Sequence, residues 1–116
     1  MKEVKAYIKH QRVNQVIEAL EREGFTDMTL IDVRGITSGL HEEAYKYSLE
    51  LAQKYMDVIK LELVCADGQA KKAAAIIAQA AHTGRQGDGL VFVTPVEAIV
   101  RIKTGEKGNA AMEPEK

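Results

Sequence analysis

The chain has 116 residues, 46% of them hydrophobic and 28% charged, which is the make-up of one soluble globular domain with a core of its own. A formal net charge of -1 leaves no basic field for nonspecific nucleic-acid binding, so that partner class is set aside. Cys65 is the only cysteine, which excludes an internal disulfide and fits a reducing compartment. No apolar run approaches the ~18 residues needed to cross a bilayer. The opening Met1-Lys2-Glu3-Val4-Lys5 lacks a signal-peptide core, so the expected location is cytoplasmic.

Val4, Ala6 and Ile8 alternate with Lys5, Tyr7 and Lys9, the pattern of a half-buried first strand. Val13, Val16, Ile17 and Leu20 then fall on one face of a helix that Gly24 stops, with Phe25 packing back on it. Met28 to Arg34 reads as a second strand, with Met28, Leu30 and Asp32 on one face and Thr29, Ile31 and Val33 on the other. Beyond Gly35 lies an excursion over residues 36–57. Within it His41 to Asp57 has helical composition, with an apolar stripe through Tyr45, Leu49, Ala52 and Met56 and i,i+4 pairs Glu42-Lys46 and Glu50-Lys54. That stripe either packs on the protein's own assembly or docks a partner.

Val58 to Cys65 is a third strand whose Ile59, Leu61, Leu63 and Cys65 make one strongly apolar face. After the turn at Ala66-Asp67-Gly68, the alanine-rich stretch Ala70 to His82 predicts a second helix that can lie close to a sheet, buried through Ala73, Ile76, Ile77 and Ala80. Leu90 to Thr94 is the fourth strand, and Ala98 to Ile102 a short extended piece. Gly108 to Lys116, with Pro114 and no apolar cluster, reads as a flexible tail that leaves residues 1–107 as the domain. This βαββαβ order is that of an α+β, ferredoxin-like fold: four antiparallel strands with both helices on one face. Strands two and three carry apolar residues on both faces, which predicts self-association through the open sheet face.

The chemistry concentrates in His82-Thr83-Gly84-Arg85-Gln86-Gly87-Asp88-Gly89-Leu90, where a helix hands over to a strand through three glycines. Such a loop folds tightly, aims N–H groups at one point and can hold an anion. The alternation in Arg101-Ile102-Lys103 predicts two cations on one side of a strand, a fit partner for a nucleotide phosphate. The spacing is neither that of a P-loop nor of the dinucleotide fingerprint. No nucleophile elbow, ordered Ser-His-Asp set or carboxylate pair is present, so no catalytic residue is nominated. His10, His41 with Glu42 and Glu43, and His82 have no metal-site spacing, so no metal is assigned either.

Taken along its whole length, the chain resembles the PII signal-transduction family of trimeric nucleotide sensors. Thr83-Gly84-Arg85-Gln86-Gly87-Asp88-Gly89-Leu90-Val91-Phe92-Val93 is similar to the family's Thr-Gly-x-x-Gly-Asp-Gly-Lys-x-Phe-Val B-loop. Arg101-Ile102-Lys103-Thr104-Gly105-Glu106 is similar to its Arg-Ile-Arg-Thr-Gly-Glu C-loop, and Gly24 to Thr29 to its Gly-x-x-Gly-Met-Thr. The resemblance implies a ferredoxin-like homotrimer with no cofactor and no enzymatic activity, whose effector ligand is an adenine nucleotide (ADP, AMP or ATP) bound between subunits. Gly87, Asp88 and Gly89 would meet phosphate through N–H groups, Arg101 and Lys103 of the neighbouring subunit would add charge, and Thr29, Gly35, Glu62 and Val64 would line the nucleoside. The segment 36–57 would correspond to the T-loop, which signals to a target protein such as a transporter or enzyme.

The departures from the pattern bear on function. Leu90 stands where the family has a phosphate-contacting lysine, favouring a mono- or diphosphate. Thr37-Ser38-Gly39 and Val58 stand where it has Gly-Arg-Gln and a lysine, so its metal and 2-oxoglutarate ligands do not carry over, and Leu51 occupies the position of a modified tyrosine. The expectation is a divergent PII-like regulatory protein. The alternative is a trimeric scaffold or metal-responsive protein with a degenerate nucleotide site.

Overall fold

A computed structural model describes residues 1–35 and 56–113. Four strands form one antiparallel sheet: β1 (Lys2–Lys9), β2 (Thr29–Gly35), β3 (Met56–Cys65) and β4 (Val91–Pro95), in the order β2-β3-β1-β4. Helices α1 (Val13–Arg22) and α2 (Ala70–Ala81) pack together on one face of it. This is the ferredoxin-like arrangement expected from the strand and helix order.

Alternation in the two central strands builds the core. Val4, Ala6 and Ile8 of β1 and Ile59, Leu61 and Leu63 of β3 meet Val16 and Leu20 of α1 and Ala73 and Ile77 of α2 in one cluster. The alanines of α2 let it approach the sheet closely, as its composition predicts. At the end of α1, Gly24 adopts φ +86°, its N–H donates to Glu21 O, and the Phe25 N–H donates to Leu20 O. This pairing is a Schellman stop, and buried Phe25 supplies the hydrophobic contact that accompanies it. The Arg12 guanidinium donates twice to Ala80 O, at 3.0 and 2.7 Å, satisfying a free carbonyl at the end of α2 and fastening the two helices at the loop end of the sheet.

The other sheet face is open in the single chain. Registers Thr29↔Glu62↔Lys5↔Phe92 and Ile31↔Lys60↔Tyr7 place these side chains together on it. Two same-strand ion pairs, Lys5–Glu3 at 3.3 Å and Lys60–Glu62 at 3.0 Å, form its middle, and the Glu62 hydrogen bond raises the Lys60 pKa. Around them Tyr7, Ile31 and Val64 remain more than a third exposed, with Tyr7 stacked at a tilt on Phe92.

Several details differ from the sequence reading. Apolar residues on both faces of β2 predict cover on each, yet Thr29 to Asp32 are exposed in the single chain, β2 being an edge strand. β4 includes Pro95, which an edge strand tolerates. Arg101 and Lys103 do not alternate along a strand. Arg101 N–H donates to Glu106 O and Gly105 N–H to Arg101 O, with Gly105 at φ +74°, so the segment is a tight turn closed by the Val100↔Lys107 bridge. Past Gly108, where a flexible tail was expected, α3 (Asn109–Met112) makes one helical turn with Ala111 buried. The helix expected over His41 to Asp57 lies outside the described residues, except that Met56 and Asp57 open β3 instead.

Candidate functional site

The glycine loop is built around the Asp88 carboxylate. It accepts from Thr83 N–H and Gly84 N–H, both at 2.9 Å, and from the Thr83 hydroxyl, while Lys9 Nζ lies 3.1 Å from it and donates to Thr83 Oγ1 at 2.8 Å. The Thr83 hydroxyl and N–H, then the Gly84 N–H and the Lys9 ammonium, hold the Asp88 carboxyl far below the usual carboxylate range. Lys9 is only 10% exposed, so its charge is spent on this brace. An aspartate that turns its charge inward on a loop's own amides does not repel an anion arriving on the outside.

The glycines serve different ends. Gly84 and Gly87 take φ +77° and +98°, the left-handed region that side chains disfavour. Gly89 is needed for space: a Cβ there would collide with the Tyr7 carbonyl oxygen and lie 2.8 Å from Tyr7 Cβ. The loop is thus pressed onto β1, where Tyr7 N–H donates to Leu90 O at 3.0 Å. Asp88 N–H turns to Arg85 O at 3.4 Å and not outward as the sequence reading had it. The N–H groups of Gln86, Gly87 and Gly89 have no hydrogen-bond partner among the described residues. Of these three residues, Gly89 borders a cleft of about 280 Å³ lined also by Tyr7, Lys9, Ile77, His82 and Asp88.

The remaining site residues fall in two places. Gly35 ends β2 opposite Met56, and a Cβ there would sit 3.0 Å from Val58 Cγ2. The registers Val33↔Val58 and Val58↔Lys9 put it at the same end of the sheet as the loop. Thr29 and Glu62 are directly paired, and Val64 follows on the same open face, several residues toward the other end. Arg101 belongs with this second group. Its Nη2 donates to Asp27 Oδ2 at 2.9 Å and to Glu113 O at 2.8 Å, just before β2 begins, while Lys103 is exposed in the turn. Asp27 precedes β2 and Gly35 ends it, and the six steps from Thr29 to Gly35 alone span about 20 Å. One chain does not bring Arg101 to its own loop.

Two contributors were missed from the sequence, Lys9 and Asp27. Lys9 looked like one more outward residue of β1; only its position at the strand's end, beside the loop, gives it a role. Asp27 carried a legible signal, since it stands at the second glycine of the Gly-x-x-Gly-Met-Thr pattern and adopts φ +54°. Among the described residues, no group of three or more His, Cys, Asp or Glu side chains could hold a metal ion, and no helix is long and apolar enough to cross a membrane.

Comparison with known proteins agrees with this architecture. The family model for nitrogen regulatory protein P-II matches residues 1–106. The chain is 42% identical to the nitrogen regulatory protein P-II of Azospirillum brasilense over 113 residues, covering 97% of this chain and all of that protein. Over the same shares it is 37% identical to that of Rhodospirillum rubrum. Its structure resembles Arabidopsis thaliana PII bound to citrate, with a TM-score of 0.80 and 30% identity, covering 99% of this chain and 92% of that one. With the fold, the braced glycine loop and matches along nearly its full length in agreement, the chain belongs to the nitrogen regulatory protein P-II family of regulatory signal-transduction proteins.

Proposed function

We propose that this chain forms a homotrimer that binds an adenine nucleotide in each cleft between subunits and passes that information to a target protein, a transporter or an enzyme, through residues 36–57. The observation that carries this reading is the loop itself. Asp88 and Lys9 neutralise each other while consuming the inner amides, which leaves the Gln86, Gly87 and Gly89 N–H groups to an outside anion. The distance between the loop and the Arg101 turn supports placing the site between copies, because a second chain is what could set the one beside the other. The open sheet face supports the same assembly, and the Arabidopsis relative's citrate is a small polyanion of the kind such a cradle suits.

Leu90, 71% exposed at the loop's exit, adds no charge, so ADP or AMP fits the site better than ATP does. Titration of ATP, ADP and AMP by calorimetry tests the reading; saturable heat with one nucleotide per chain is expected, and no heat with any of them refutes it. Arg101→Ala is expected to weaken binding by about 1.5–3 kcal/mol through loss of a charge-assisted contact, and Gly87→Asp to weaken it by setting a carboxylate against the anion at a φ of +98° that side chains disfavour. Unchanged affinity in both would remove the site from where it is placed here.

A further inference from the structure

We propose that Asp27 is a specificity-determining residue, which competes with phosphate for Arg101 and so limits how much negative charge the site accepts. This rests on the nucleotide reading above. Arg101 Nη2 carries two hydrogens, and both are taken, one by Asp27 Oδ2 at 2.9 Å and one by Glu113 O at 2.8 Å. A guanidinium grips an oxyanion in a fork either through Nη1 with Nη2 or through Nε with Nη2. Both forks need the nitrogen that is occupied. An arriving phosphate therefore finds a single N–H, from Nε or Nη1, until it displaces the Asp27 carboxylate.

Displacement leaves a carboxylate beside the phosphate it made way for. That repulsion grows with every charge on the ligand, so Asp27 penalises a triphosphate more than a monophosphate. The placement is particular to this side chain. Asp27 holds φ +54°, a conformation open mainly to glycine and to short polar residues, and the family pattern quoted above has glycine there. Asp27 is 48% exposed and Arg101 23%, so their pair contributes little to stability and its removal leaves the fold intact.

Asp27→Asn keeps the shape and removes the charge; Asp27→Gly removes both. Calorimetric titration of wild type and both variants with AMP, ADP and ATP reads the ratio of affinities, which a merely structural role would not move. The expected result is a gain of roughly tenfold for ATP and less than about twofold for AMP, one charge contact being worth about that much. In an Arg101→Ala background, where no guanidinium is left to contest, the selective gain is expected to shrink to the part that direct repulsion alone supplies. Nucleotide binding with an unchanged ATP-to-AMP ratio in both variants overturns the role of Asp27 alone. Absence of binding by any nucleotide to any of these proteins overturns it together with the nucleotide reading.

Discussion

Gly89→Ala isolates the contact that presses the loop onto the sheet. The added methyl would overlap the Tyr7 carbonyl oxygen and sit 2.8 Å from Tyr7 Cβ and 2.9 Å from its carbonyl carbon. Two of those three atoms are backbone, so no rotamer change relieves the clash. β1 is hydrogen-bonded on both sides, to β3 and β4, and cannot retreat. The loop must lift instead, giving up the Tyr7 N–H to Leu90 O bond. Overpacking costs about 1–3 kcal/mol and the lost bond about 1, so a destabilisation of about 2–4 kcal/mol is expected. Urea unfolding at fixed protein concentration measures it, since an oligomer's midpoint depends on concentration. Gly68→Ala, where a Cβ meets nothing within 4 Å, is the control and should stay within about 0.5 kcal/mol of wild type. A Gly89→Ala protein as stable as the Gly68→Ala control would refute the close approach.

Asp88→Asn keeps one acceptor oxygen but loses the charge, so the bonds from the Thr83 and Gly84 amides should weaken and their hydrogen exchange should quicken; unchanged rates would contradict the brace. Because the Asp88 pKa is lower in the folded than in the unfolded chain, its stabilisation is present above the unfolded value near ~3.9 and drains away as pH falls toward the folded one. Wild type should therefore lose more stability than Asp88→Asn when the pH is lowered below about 4, and parallel acid unfolding curves would contradict this. Cys65 is 7% exposed and burial raises its thiol pKa, so iodoacetamide should label it slowly in the folded protein and quickly in urea; equal rates would show that β3 is not packed as described. Leu90→Lys, at an exposed position, should leave stability within about 0.5 kcal/mol of wild type while raising ATP affinity more than AMP affinity. A similar gain for both nucleotides would mean that residue 90 does not face the phosphates.

Period-two and helical patterns were enough to find β1, α1, β3 and α2, because each puts a continuous apolar stripe into one core. The loop's place was also legible, although three glycines at a helix-to-strand handover fit a plain helix stop and turn as well as an anion cradle, and the family resemblance favoured the second. What each glycine does was not, because the demand on Gly89 comes from Tyr7, a residue 82 positions earlier in the sequence. The same holds for Lys9, whose partners Thr83 and Asp88 lie at the other end of the sequence. Alternation misled at Arg101-Ile102-Lys103: a bond from Gly105 back to Arg101 closes a turn before a strand can form, leaving Ile102 fully exposed. The small residues Ala110 and Ala111 carry too weak an apolar signal to announce the turn of α3, although Ala111 is buried. Arg101 and Lys103 were named from the sequence, but that the neighbouring subunit would supply them came from the family resemblance and not from their spacing, since nothing local marks two parts that separate chains would bring together.

A crystal structure of the protein grown with ADP measures the central claim directly. The phosphates are expected within hydrogen-bond distance of the Gly87 and Gly89 amides of one subunit and of the Arg101 guanidinium of the next. Phosphates bound away from the glycine loop, or Arg101 of the adjoining copy turned from it in a saturated complex, would contradict it.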